Sequence, residues 1–321
     1  MKLFLRMIVV TFGMIQLGVT SSKAGIVTFG TGANQFQMEF VTIGNPGNAA
    51  DTTGTPNPAG AVPYEYGIGK FEVSEDMITK FNASQSLQIT KDTRGAAKPA
   101  TSVSWNEAAR FVNWLNTSTG GFAAYKFTTG GVNDNIAVWT AADTLDFDIT
   151  NPYRSLRATY VLPSYNEWYR AAYFNANDGL YYDFANGRNT APLAVVSGTQ
   201  DNTGVLRQPF SQGPADVTQA GGLSPYGLMG LNGNVLEWEE SSLDLLNLSA
   251  SSSRGFRGGY WIDDIHYLLS SVREFRPTKS EGSMVGFRVV VLSSPVPEPS
   301  TLVIGTLLGL GGMLAKRRIK R

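Results

Sequence analysis

The 321-residue chain contains no cysteine and a single histidine. Without thiols it has no disulfides, no thiolate metal sites and no cysteine nucleophile. One histidine excludes a multi-histidine metal centre within the chain and confines any Ser-His-Asp triad to His266. An excess of either charge is also lacking, since 26 bases balance 26 acids. The balance is uneven along the chain. Lys2, Arg6 and Lys23 near the start, and Lys316, Arg317, Arg318, Lys320 and Arg321 at the end, have no acid among them. The body between is therefore net acidic and repels polyanions, so nucleic acid is not an expected partner. What is present, 42% apolar and 11% aromatic residues, suffices for a full core in a chain of this length.

Both ends read as addresses. Lys2 and Arg6 precede an uncharged apolar run over residues 7–20, and Ser22-Lys23-Ala24 offers small residues at the −3 and −1 positions of a cleavage site. That is the layout of a secretory signal over residues 1–24, with an uncleaved anchor as the alternative. At the other end, Pro295-Val296-Pro297-Glu298-Pro299-Ser300 breaks the chain before an uncharged stretch, residues 301–315, and the basic cluster. Fifteen helical residues rise about 22 Å, short of a ~30 Å hydrocarbon core, although flanking bases can snorkel. The tail thus reads as a short transmembrane segment. Its order resembles the PEP-CTERM sorting signal over residues 295–321. The resemblance implies an exosortase partner and a place at the cell envelope, either membrane-anchored or released to the extracellular matrix after processing.

Between the ends, residues 25–294 read as one domain. Phe36, Met38 and Phe40 alternate within an expected strand over residues 35–43, and residues 67–73 read as another. Ser74 caps an expected helix. Ser104-Trp105-Asn106-Glu107 and Ser164-Tyr165-Asn166-Glu167 both have the form of a capping box, so helices are expected to start there. Ala108, Phe111, Val112 and Leu115 continue the first at helical spacing. Residues 120–151 and 175–222 are Gly-, Asn- and Thr-rich loops, and residues 254–262 and 284–292 read as late strands. The Trp238-Glu239-Glu240 run reads as a strand end with solvated acids. Arg273 and Arg276 read as surface partners of Glu274 or Glu281.

Six ordered segments resemble the formylglycine-generating enzyme or sulfatase-modifying factor family. They are Tyr66-Gly67-Ile68-Gly69-Lys70-Phe71-Glu72-Val73-Ser74, Pro99-Ala100-Thr101-Ser102-Val103-Ser104-Trp105-Asn106-Glu107-Ala108, Tyr160-Val161-Leu162-Pro163-Ser164-Tyr165-Asn166-Glu167-Trp168, Gly233-Asn234-Val235-Leu236-Glu237-Trp238, Arg257-Gly258-Gly259-Tyr260-Trp261 and Gly286-Phe287-Arg288-Val289. The resemblance implies an α+β, C-type-lectin-like fold with few helices, short strands and much irregular chain. It also implies a calcium site from Glu237 and the carbonyls of Gly233 and Val235, hard oxygen ligands of the type calcium favours. Gly230 stands where that site's Asn or Asp is usual. By a looser alignment the resemblance also implies a second calcium site at Asn202 and Asp216. The tryptophans of these motifs read as core, whereas Trp139, Tyr181 and Tyr182 in the loops read as exposed.

The family's active members bind copper through two cysteines. In register from Gly258-Gly259, those places fall at Asp263 and Leu268, so no copper site is expected. A related sulfoxide-synthase branch needs several histidines, which this chain lacks. The expected function is thus a non-catalytic, exported domain that binds or scaffolds an extracellular component such as polysaccharide. The alternative is an enzyme of altered chemistry using Asp263 and His266 in the same pocket.

Overall fold

The computed structural model describes residues 25–143, 147 and 149–292. Along the chain come β1 (Gly25–Phe29), β2 (Phe36–Ile43), β3 (Tyr66–Gly69), α1 (Glu75–Ser84), α2 (Trp105–Ser118), β4 (Tyr160–Val161) and α3 (Tyr165–Tyr173). Short pairs follow: β5 (Phe174–Asn175) with β6 (Leu180–Tyr181), and β7 (Leu193–Ala194) with β8 (Thr203–Gly204). The last are β9 (Leu236–Ser242), β10 (Arg254–Arg257), β11 (Glu274–Arg276), β12 (Val285–Gly286) and β13 (Val290–Leu292). This is an α+β fold of few helices and short strands.

Two sheets organise it. The first, ordered β1-β2-β3-β13-β4, is antiparallel throughout. β2 buries Phe36, Met38 and Phe40 and exposes Gln37, as the two-residue period of a strand requires. The second sheet, β11-β10-β9-β12, pairs β12 parallel to β9. Both expected capping boxes form. The Ser104 and Ser164 hydroxyls accept from the N–H groups of Glu107 and Glu167, whose carboxylates return to the cap N–H groups. α2 lays Phe111, Val112 and Leu115 against the first sheet, and Phe36, Phe81, Phe111 and Trp114 pack ring on ring there. Each such side chain contributes roughly 1.5–3 kcal/mol when fully buried.

Three expected strands are shorter than the sequence suggests, each for a local reason. β3 stops at Gly69 because the carbonyls of Gly69 and Lys70 turn to the Arg288 guanidinium rather than to a neighbouring strand. β10 stops at Arg257 because Gly258 and Gly259, at φ +100° and +72°, swing the chain out of the sheet. The expected strand over residues 284–292 splits into β12 and β13. It crosses from one sheet to the other through Phe287, Arg288 and Val289, all fully buried.

The membrane expectation is corrected. Among the described residues no helix is long and apolar enough to cross a membrane. Residues 301–315, read from sequence as a transmembrane segment, lie outside the described residues, as do residues 1–24 and 295–300. The membrane-anchored location is therefore given up. The exosortase and polysaccharide partners attached to it have no support in the fold and are given up with it.

Candidate functional site

Gly258 and Gly259 lead into the region where the sequence register places the pocket. Glycine is required at 259: φ is +72° and an added Cβ would lie 2.8 Å from Leu268 Cδ1. Leu268 fills that space and is fully buried at the end of a single 3-10 turn, Ile265–Leu268. Asp263 is buried too, and its carboxylate accepts from the Tyr260 N–H at 3.0 Å. Burial pushes the Asp263 carboxyl up to about 7, with the Tyr260 N–H opposing and the Glu274 charge adding. His266 is exposed, with its ring against Tyr267, and no side-chain hydrogen bond joins it to Asp263 among the described residues. The neighbouring Asp264 pairs with Arg207 on the surface. The structure thus brings Asp263 and Leu268 together and leaves His266 outside.

The Gly233–Glu237 segment leads into β9, where Glu237 is fully buried. Arg288 donates to Glu237 Oε2 from Nε and to Oε1 from Nη2, both at 2.5 Å, and Trp168 Nε1 donates to Oε2 at 2.7 Å. At Gly230, φ is +81° and any Cβ would collide with the carboxylate of Glu72. The sequence therefore has glycine at 230 because Glu72 occupies the space a side chain would need. Asn202 accepts from Asn186 and Asp216 pairs with Lys98 at 3.0 Å, so the looser pair has separate partners. Among the described residues no group of three or more His, Cys, Asp or Glu is placed to hold a metal ion.

The acids after Trp238 are the largest departure from the sequence reading. Glu239 and Glu240 are not solvated; both are fully buried. β9 has every residue inside, and its alternation sends Glu237 and Glu239 to one face and Trp238 and Glu240 to the other. Glu239 holds Arg257 at 2.6 Å and Arg273 at 2.7 Å, so Arg273 is not a surface partner of Glu274 or Glu281. Glu240 holds Arg154 at 2.8 Å and accepts from Tyr125 at 2.8 Å. Arg154 also pairs with Glu167, the capping residue of α3. Burial raises Glu167 and Glu239, but Arg154 on the first and Arg273 with Arg257 on the second carry them below the ordinary carboxylate value.

The motif tryptophans Trp105, Trp168, Trp238 and Trp261 are fully buried, as expected. Trp139, Tyr181 and Tyr182 are only half-buried rather than exposed. Trp139 donates to the Ala124 carbonyl and Tyr181 to that of Gly60, so neither ring is a free platform. Sequence reasoning missed Glu72, although it lies in a recognised motif. Its carboxyl is pushed up to about 7 by burial first and by Glu237 second, with Arg288 opposing.

Two outcomes follow. Arg154→Met should cost about 3–5 kcal/mol, because it strands Glu167 and Glu240 without a counter-ion, and denaturant titration reads the loss directly. Glu72 and Asp263 both titrate higher folded than their reference values of 4.5 and 3.8. The stability each contributes is complete below its unfolded value and is lost as pH rises through about 7. The thermal midpoint should therefore fall across that window. The Glu72→Gln, Asp263→Asn double variant should flatten the fall, and an unchanged slope would show that other groups set it.

The Sulfatase-modifying factor enzyme 1-like domain model matches residues 6–292. Among solved structures, the chain is similar to Treponema denticola variable protein 1, with 19% identity, a TM-score of 0.55 and coverage of 83% of this chain and 98% of that one. It is also similar to CarF, at 20% identity and TM-score 0.55, over 81% of this chain and 98% of that one. PvdO from Pseudomonas aeruginosa matches at 16% identity and TM-score 0.51, over 84% and 99%. At these identities the structures show a shared fold and nothing more. No curated protein matches the chain. The family model spans both sheets and all six motifs, and the chain belongs to the sulfatase-modifying factor enzyme 1-like family.

Proposed function

We propose that this chain is a non-catalytic member of its family, an exported domain that binds or scaffolds an extracellular component. One observation carries the reading: the chain has no cysteine, and the register counted from Gly258-Gly259 by the family resemblance puts Asp263 and Leu268 where the two copper-binding thiols would be. Formylglycine-generating oxidase chemistry is therefore not expected. Leu268 and Asp263 are both buried. Against the altered-chemistry alternative stands the exposure of His266, which leaves Asp263 without its proposed partner. Export and a sorting tail rest on the sequences of residues 1–24 and 295–321 alone. The C-type-lectin-like label for the fold rests on the motif resemblance.

For calcium, we read the donor set at Gly233, Val235 and Glu237 as a poor fit. Both Glu237 oxygens already hold the Arg288 cation, and Gly230 brings no side chain. Arg288 then does the charge-balancing there that a metal would do. The Asn202 and Asp216 pair, with partners of its own, is the weaker of the two readings.

Purified protein incubated with copper and a cysteine-containing sulfatase-type peptide should yield no aldehyde by mass spectrometry. Formylglycine in the peptide would overturn the non-catalytic reading. N-terminal sequencing of exported material should begin at Gly25, and an intact Met1 in that material would remove the cleaved-signal reading. A calcium chelator should leave the thermal midpoint where it was, whereas a clear drop would restore a structural calcium ion.

A further inference from the structure

β1 is the outermost strand of the first sheet and has a neighbour on one side only, β2. Among the described residues, its backbone from Gly25 to Phe29 makes no hydrogen bond beyond the ladder to β2. A row of N–H and C=O groups therefore lies along its free edge. Gly25, Ile26 and Thr28 are exposed, Ile26 to 64%. Such an edge is a template for one more strand unless the sequence blocks it.

The other edges of the two main sheets are blocked, and this one is not. β4 and β12 are two residues long and buried, and β11 flanks Phe275 with Glu274 and Arg276. Short strands and edge charges are the usual means by which a sheet is kept from growing. β1 runs for five residues with no charge, no proline and no break in its register with β2. The gap in charge is wider than the strand. Residues 24–38 carry none, in a chain that is 16% charged, and the core of a protein–protein interface is depleted of charge in the same way.

We propose that a second copy of this chain docks on the free edge of β1, through antiparallel pairing of the two β1 strands about a two-fold axis at Val27. A two-fold interface uses the same patch on both copies, so the patch has to tolerate its own image. β1 does so, because none of its side chains carries a charge. A charged strand would meet nothing to balance it along residues 24–38, whereas the second copy brings an uncharged strand of equal length. An axis at Val27 pairs all five residues: Val27 opposite Val27, Ile26 opposite Thr28, and Gly25 opposite Phe29. Ile26 and Thr28 alternate onto the exposed face, where pairing sets these β-branched side chains against each other. The two five-stranded sheets then become one. Five residues a side fall short of the ~1,200–2,000 Å² buried in stable complexes, so the dimer is weak and reversible. The proposal is independent of the non-catalytic reading, since Asp263, His266 and Leu268 are not on β1.

Sedimentation velocity of the purified full chain, from about 5 to about 500 µM, should show a reversible monomer–dimer equilibrium with a dissociation constant of order 100 µM. Ile26→Lys combined with Thr28→Lys puts like charges directly opposite one another in this register and should weaken association at least tenfold. Both positions are exposed, so the thermal midpoint at low concentration should stay put. The absence of native cysteine gives a second readout. Val27→Cys faces its own image at a Cα separation of roughly 4.5–5.5 Å, within disulfide range, and should cross-link under glutathione disulfide. Ile26→Cys lies diagonally from its image and should cross-link at least tenfold more slowly. A chain that stays monomeric throughout, even if it takes up an extended peptide from another protein, overturns the proposal. So does a dimer that the two lysines leave intact, or equal cross-linking at the two cysteine positions.

Discussion

Ionic pairing in the interior is the constraint on which the rest of this structure depends. Three glutamates of one strand, Glu237, Glu239 and Glu240, are fully buried, and four arginines come to them from distant parts of the chain. Isolated charges do not survive in such a setting; each must be paired and hydrogen-bonded, or neutralised. Arg288 links the strand crossover to β3 and to Met229, and Arg154 links the start of α3 to β9. A chain with so much irregular backbone gains little from regular ladders. These guanidinium nodes, with several donors each, hold loop carbonyls that would otherwise be unpaired.

The same accounting explains why two acids stand apart. Glu237, Glu239 and Glu240 each have an arginine, and Glu167 shares one with Glu240. Glu72 and Asp263 have none, and burial raises both toward neutrality. Such groups are frequent at functional sites, but they are equally the residue of a fold whose cations are already committed. Geometry separates the two cases. Asp263 lies with Leu268 beside Gly259 and is bonded to the Tyr260 N–H, whereas Glu72 lies against Gly230 and keeps one oxygen without a hydrogen-bond partner among the described residues.

Much of the local structure was legible along the sequence. Both capping boxes form as read, because a hydroxyl and a glutamate three residues on find each other without help from the rest of the chain. The alternation of Phe36, Met38 and Phe40 marked β2 for the same local reason. Strand ends were less legible. β3 and β10 stop where a distant guanidinium takes carbonyls or a pair of glycines turns the chain, and only the first of these causes is invisible in the sequence. Gly230 looked like a lost ligand; the space beside it is filled by Glu72, 158 residues earlier in the chain.

Sequence alone settled the family through its ordered motifs, and it settled the loss of thiol-dependent copper chemistry, because composition cannot be changed by folding. It also marked Trp105, Trp168, Trp238 and Trp261 as core, since large apolar rings are driven there wherever the chain permits. Tertiary structure decided the fate of the charges. A glutamate reads the same whether it faces water or an arginine across the core, and its state depends on burial and on partners remote in the chain. Glu239 and Glu240 looked solvated and are each buried on arginine, while Glu72 looked like one letter of a motif and keeps a buried oxygen with no hydrogen-bond partner among the described residues.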